Sequence, residues 1–336
     1  MNGSAKPRRA TSADVAREAG VSRATVSYVL NDTANQRIPD STRQRVWEAV
    51  RRLGYAPSAA ARSLRSGRSE VVLLLLPDWP IGRMVGTLLE EMALAFARAG
   101  LILVAHPRAG NDRPVAEIWN SLSPAAVIGW EALESADEAA MQAAGVEVNV
   151  VLLGSAGSGS RGLAVSEQRT GRIQVEHLAA RGHRTIGYAY PDDARVLTFA
   201  QPRLEGVRDA CAELSLDAPD VQTVPVDIAG AAEAVRHWRA QVQPVTAVCA
   251  YNDEVALAVL AGLRAEALRA PGDLAVIGVD DLPLSSVADP PLTSVATRAK
   301  SLAAYVVETV LAGLRGDPGP PAPSSDILRL VVREST

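Results

Sequence analysis

Between Ser22 and Tyr28 the chain places a guanidinium, three hydroxyls and a phenol within seven residues: Ser22, Arg23, Ala24, Thr25, Val26, Ser27, Tyr28. A guanidinium fork can donate two parallel hydrogen bonds to a pair of planar acceptors, and short hydroxyls suit phosphate oxygens. Val26, Val29 and Leu30 recur at i, i+3 and i+4, so a helix here buries them and turns Arg23, Ala24, Ser27 and Tyr28 outward. Ser22 stands where it can cap that helix. Upstream, Thr11 with Asp14 three positions on has the pattern of a capping box, and Val15, Ala16 and Ala19 form an apolar stripe. Gly20 supplies a turn that a Cβ would hinder. Two short helices joined by a tight glycine turn read as a helix-turn-helix, whose second helix meets a DNA major groove.

Charge points the same way. Residues 1–68 hold 13 Lys and Arg against 5 Asp and Glu, a net of +8, whereas the remainder holds 21 against 33, a net of −12. The overall −4 conceals a basic head on an acidic body. A polyanion suits the head through counterion release, and the acidic body keeps the rest of the chain off the phosphates.

The elements that must carry these groups follow from pattern. Asp40 or Ser41 can cap a third helix running to Leu53, with Val46, Ala49, Val50 and Leu53 buried and Gly54 ending it. Residues 55–68 hold a two-turn segment too short to be stable alone. From Val71 onward VVLLLL, LILVA, AAVIG and VNVVLL are compact apolar runs separated by helical stretches, the signature of buried parallel strands. Thr185–Tyr190, Val221–Val226, Val245–Ala250 and Ala275–Val279 repeat the alternation, with helices near 169–181, 201–214, 230–241 and 254–265. The fold class is therefore α/β: a helix-turn-helix head and a core of two doubly wound parallel-sheet subdomains. Ligands of such sheets bind at the carboxyl ends of the strands, which places Asp78, Trp79, His106, Trp130, Tyr190, Asn252, Asp253, Asp280 and Asp281 near a cleft.

Composition bounds the remaining classes. At 336 residues and 48% apolar the chain suits two or three globular units, and no apolar run reaches membrane-spanning length. The basic start lacks an apolar stretch and a cleavage site, so a cytoplasmic protein without a membrane partner is expected. Cys211 and Cys249, the only cysteines, read as reduced buried thiols. The glycines at 154, 157 and 159 miss the dinucleotide spacing, and phosphate-loop, zinc-protease and nucleophile-elbow motifs are absent. The four histidines are scattered, His183 reading as a structural turn residue, so neither an enzyme nor a cofactor or metal is expected.

DVAREAGVSRATVSYVLN, RVWEAVRRLGY, GHRTIGY, AYNDEVALAVL, AVIGVDDLPLSSVADPPLTSV and the terminal LRLVVREST together resemble the LacI/GalR family of bacterial transcription regulators over nearly the whole chain. The resemblance implies a homodimer on double-stranded, pseudo-palindromic operator DNA, most simply as a repressor, with a periplasmic-binding-protein-like core that senses a small molecule such as a sugar. It divides the chain into a head at 1–57, a hinge helix and linker at 58–68, one core subdomain from 69–165 with 297–323, and another from 166–296 with 324–336. By that likeness Arg23, Ala24 and Tyr28 touch base edges, with Arg23 suited to guanine and Ala24 to a thymine methyl. Ser22, Thr25, Ser27, Asn31, Thr42 and Tyr55 match phosphate-contacting positions, although Tyr55 reads equally as a half-buried core aromatic. Leu64 matches a minor-groove wedge, with Ala61 on the same face one turn earlier.

In the sensing core the resemblance assigns Asp78, Trp79, Arg203, Asn252 and Asp280 to effector binding. Each has a structural alternative: Arg203 follows Pro202 near an expected helix start, Asn252 or Asp253 can cap the helix that begins at Glu254, and Asp280 can hold a turn. The chain departs from the family at Asp78-Trp79-Pro80-Ile81-Gly82-Arg83, where an aromatic-rich loop is usual, and at Ser166-Glu167-Gln168, where Asp-Asn is usual. These departures keep a non-sugar effector, or none, as alternatives. A transport binding protein conflicts with the helix-turn-helix, and a sequence-independent DNA-bending protein is opposed by an Arg-led recognition helix.

Overall fold

The computed structural model describes residues 10–30, 37–55, 69–108, 115–146, 148–152, 161–162, 167–321 and 327–336. The chain divides into two compact units, Met1–Glu70 and Val71–Thr336.

In the first unit, helix α1 (Ser12–Ala19) opens with the expected reciprocal cap: the Thr11 amide donates to Asp14 Oδ2 at 2.9 Å and the Asp14 amide to Thr11 Oγ1 at 3.3 Å. Gly20 ends it at φ +64°, in the left-handed region that glycine enters without a Cβ penalty. Helix α2 (Arg23–Leu30) starts from Ser22, whose Oγ accepts the Thr25 amide at 3.0 Å. Helix α3 (Asp40–Leu53) departs from expectation at its start. Neither Asp40 nor Ser41 caps it, because Pro39 occupies the cap position and its carbonyl takes the amides of Thr42 and Arg43. Asp40 is instead the first helical residue, where its charge still complements the helix dipole. Val15, Ala16, Ala19, Val26, Val29, Val46 and Ala49 form the core, and Arg52 pairs with Glu18 at 2.5 Å to tie α3 to α1.

The second unit holds two sheets. The first contains β1 (Val71–Leu76), β2 (Ile102–Pro107), β3 (Ala126–Gly129), β4 (Val148–Val151) and β5 (Arg161–Gly162), ordered β2-β1-β3-β4-β5 and all parallel. Helices α4 (Arg83–Arg98), α5 (Val115–Leu122) and α6 (Ser135–Ala143) alternate with these strands. Four consecutive residues of β1 are fully buried, which explains an apolar run without alternation: helices cover both faces of the sheet.

The second sheet contains β6 (Ile186–Pro191), β7 (Asp220–Val224), β8 (Ala247–Ala250), β9 (Ala275–Val279), β10 (Thr293–Thr297) and β11 (Leu328–Val331). Its order is β11-β10-β9-β8-β6-β7, parallel except for the β10–β11 edge pair. Helices α7 (Glu167–Ala180), α8 (Leu197–Glu213), α9 (Ile228–Arg239) and α10 (Asp253–Ala265) flank it. The last helix, α11 (Ala299–Arg315), returns to the first sheet: Leu302, Val306 and Val310 share a core with Val72, Leu88, Phe96 and Val150. The C-terminus is anchored in the second lobe, where Ser335 Oγ donates to the Val276 carbonyl at 2.6 Å and receives the Thr293 amide at 2.8 Å. Cys211 and Cys249 are buried free thiols, and burial pushes the Cys211 thiol up to about 11. Among the described residues no helix is long and apolar enough to cross a membrane.

Candidate functional site

On the first unit, Ser22, Arg23, Ala24 and Tyr28 are exposed on one side of α2 while Val26 and Val29 are buried on the other. Thr25 and Ser27 are half-buried at the edge of that face, and Thr25 Oγ1 lies 2.9 Å from Ser22 Oγ. Thr42, in the first turn of α3, is half-buried, and Tyr55 is half-buried against the head core. Asn31, Ala61 and Leu64 lie outside the described residues. The exposed face of α2 carries one fork donor, a methyl, a hydroxyl and a phenol, a set able to read base edges rather than merely attract phosphate.

On the second unit, a cavity of about 290 Å³ opens between the two lobes. Its wall is built from the carboxyl ends of strands: Trp79 beyond β1, Asp192 and Asp193 beyond β6, Val226 beyond β7, Asn252 beyond β8 and Asp280 beyond β9.

Arg203 reaches this wall from α8, which begins at Leu197 and takes Pro202 into its second turn. Arg203 is therefore not a solvated residue at a helix start; it is 7% exposed. Its Nε donates to Glu167 Oε2 at 2.5 Å and its Nη1 to the Tyr251 carbonyl at 2.6 Å, with the guanidinium 4.8 Å from the Tyr251 ring centre. Burial works against its charge, but the Glu167 and Asp280 carboxylates outweigh it and hold the guanidinium protonated.

Asn252 does cap α10, its Oδ1 accepting the Val255 amide at 3.0 Å, and it lines the cavity as well. The cap uses the oxygen and leaves the amide nitrogen as a donor. Asp253 is no cap: fully buried, it accepts from Ser285 Oγ at 2.6 Å, Ser294 Oγ at 2.7 Å and the Leu282 amide at 2.7 Å. That network pins the segment carrying Asp280, whose backbone sits at φ +101°. Burial pushes the Asp280 carboxyl up to about 6, with Asp253, Glu167 and Glu254 adding to the effect and Arg203 opposing it.

Trp79 packs edge-on against Trp130 of its own lobe (ring centres 5.0 Å apart) and against Phe199 of α8 (4.3 Å). Asp78 is exposed and is not on the cavity wall.

Residues 11–58 match the bacterial regulatory proteins of the lacI family, and residues 175–336 match a periplasmic binding protein-like domain. The HTH-type transcriptional regulator GalS of Salmonella typhimurium is 31% identical over 312 residues, 90% of this chain and 89% of GalS. The chain belongs to the LacI family. The Lac repressor dimer bound to operator and the anti-inducer ONPF shares the fold, with a TM-score of 0.80 over 98% of this chain and 99% of that one at 23% identity. The CelR–cellobiose complex superposes with a TM-score of 0.65 at 25% identity, over 98% of this chain and all of that one.

This LacI-family chain is thus a DNA-binding transcription regulator of helix-turn-helix type with a periplasmic-binding-protein-like core. Three groups on or beside its cleft, Glu167, Tyr251 and Phe199, were not legible as site residues. Glu167 showed only as a departure from the family's usual residues, and Phe199 lay just before the helix expected near 201–214, which in fact begins at Leu197.

Proposed function

We propose that this LacI-family regulator is an operator-specific repressor, acting in the cytoplasm as a homodimer on a pseudo-palindromic site and controlled by a small molecule in the cleft. It needs no catalysis. The observation that carries the DNA half is the exposed Arg23–Tyr28 face on a capped helix in a head of net charge +8. In this reading Arg23, Ala24 and Tyr28 touch bases, and Ser22, Thr25, Ser27, Asn31, Thr42 and Tyr55 position the backbone. Ala61 and Leu64 enter the minor groove at residues 58–68. The effector meets Trp79, Arg203, Asn252 and Asp280 between a lobe of residues 69–165 with 297–323 and a lobe of 166–296 with 324–336, while exposed Asp78 stands outside the contact set.

The test is fluorescence anisotropy on fragments of the DNA upstream of the protein's own coding region, at fixed salt. One palindrome bound far more tightly than the rest is expected. Arg23→Ala should flatten preference at one base of each half-site, a loss of about 1–3 kcal/mol there. Equal weakening on every sequence would make Arg23 a phosphate contact, and uniform weak binding of all fragments by the unaltered protein would overturn the operator reading.

A further inference from the structure

The charges on the cleft wall restrict which ligand can shed its water there. Among the described residues the wall carries five carboxylates, Glu167, Asp192, Asp193, Glu254 and Asp280, against the cations Arg83 and Arg203, with Asp193 already paired to Arg195 at 2.7 Å. Arg83 is exposed. Arg203 is the buried one, and it is already engaged by Glu167 and the Tyr251 carbonyl. An arriving carboxylate or phosphate therefore finds the buried guanidinium compensated and meets Asp280 beside it. In a site of low dielectric that juxtaposition repels.

Donors meet the opposite situation. No side chain of the described residues donates a hydrogen bond to the Asp280 carboxylate, whereas Asp253 one strand away is satisfied three times. The aromatic group formed by Trp79 and Phe199 on the same wall offers an apolar or cation-attracting face next to these acceptors. The position that decides the balance is 167, one of the points where the chain departs from its family.

We infer that Glu167 sets the charge selectivity of the cleft: the effector is an uncharged or cationic molecule presenting hydrogen-bond donors to Asp280, and carboxylates and phosphates are excluded. The inference rests on the cleft being the effector site, and the test separates the two. A metabolite panel in three groups, amines, neutral polyols and nucleosides, and carboxylates with phosphates, is read by thermal shift and calorimetry on the intact protein, Glu167→Gln and Asp280→Asn.

Binding confined to the first two groups is expected. Asp280→Asn should weaken that ligand by about tenfold or more, and Glu167→Gln, which removes the negative charge that compensates Arg203, should admit carboxylates at least about tenfold more tightly than the unaltered protein. An anionic compound bound by the unaltered protein overturns the inference while leaving the effector reading intact. A folded Glu167→Gln that gains no anion removes Glu167 from the role. If Glu167→Gln does not fold, the ranking of the three groups on the unaltered protein decides alone. A panel silent in every group overturns the effector reading and this inference with it.

Discussion

Asp280 combines two unfavourable features, a backbone at φ +101° and a carboxyl raised to about 6 by burial among other acids. Such features persist where function selects them over stability. Because the folded protein holds this proton more tightly than the unfolded chain, the group's stabilising contribution is complete below its ordinary value of 3.8 and is lost as pH rises through about 6. Asn tolerates positive φ and never ionises. Asp280→Asn should therefore stabilise the unliganded core at pH 8, by up to about 2 kcal/mol, with the gain shrinking toward pH 5. Thermal melts at the two pH values check this, and an equal shift at both would remove the buried charge as its cause. Asp280 was legible because the strand-end rule and the family pattern both pointed to it. Its strain was not, since Asp enters positive φ more often than most residues but adopts ordinary φ at the great majority of positions.

Helices α7 and α8 bring Glu167 to Arg203, and glycine permits it. A Cβ on Gly206 would lie 1.9 Å from the Gln168 carbonyl oxygen, and one on Gly171 would lie 2.1 Å from that of Arg203. Both obstacles are backbone, which cannot swing aside. Gly206→Ala should separate the helices, cost about 1–3 kcal/mol or more, and weaken effector binding through the displaced Glu167–Arg203 pair. Gly86 in α4 is the control: nothing lies within 4 Å of its Cβ position, so Gly86→Ala should stabilise by about 0.5–1 kcal/mol. Denaturant titrations of both variants distinguish close packing from a general dislike of alanine. At this scale the sequence was largely readable. Thr11 and Asp14 announced α1, and the apolar runs announced the strands, because caps and burial act over a few residues. The α7–α8 crossing was not readable, because it depends on two glycines 35 positions apart meeting backbone in space. The start of α3 was misassigned to Asp40 or Ser41 because Pro39 can supply a carbonyl and a helical φ without any side-chain cap.

For the whole molecule, the proposal requires two ligands to bias one equilibrium. The cleft wall is drawn from both lobes, with Trp79 of one meeting Phe199 of the other, so a molecule bound there makes different contacts in open and closed arrangements. If that closure is what the operator also senses, thermodynamics leaves no freedom in the size of the effect. The factor by which saturating effector changes operator Kd must equal the factor by which saturating operator changes effector Kd, a coupling of about 5- to 150-fold in typical regulators. Anisotropy supplies the first factor and calorimetry the second. Both must be taken at one ionic strength, because a head of net charge +8 makes operator affinity steeply salt-dependent. Factors that agree support coupling through the protein, with its direction separating inducer from corepressor. Factors that differ mean that the two titrations follow different species, as when a dimer dissociates between them, and a single shared equilibrium no longer describes this regulator. Two factors of one mean the effector binds both arrangements equally, and then it cannot move the head however tightly it binds.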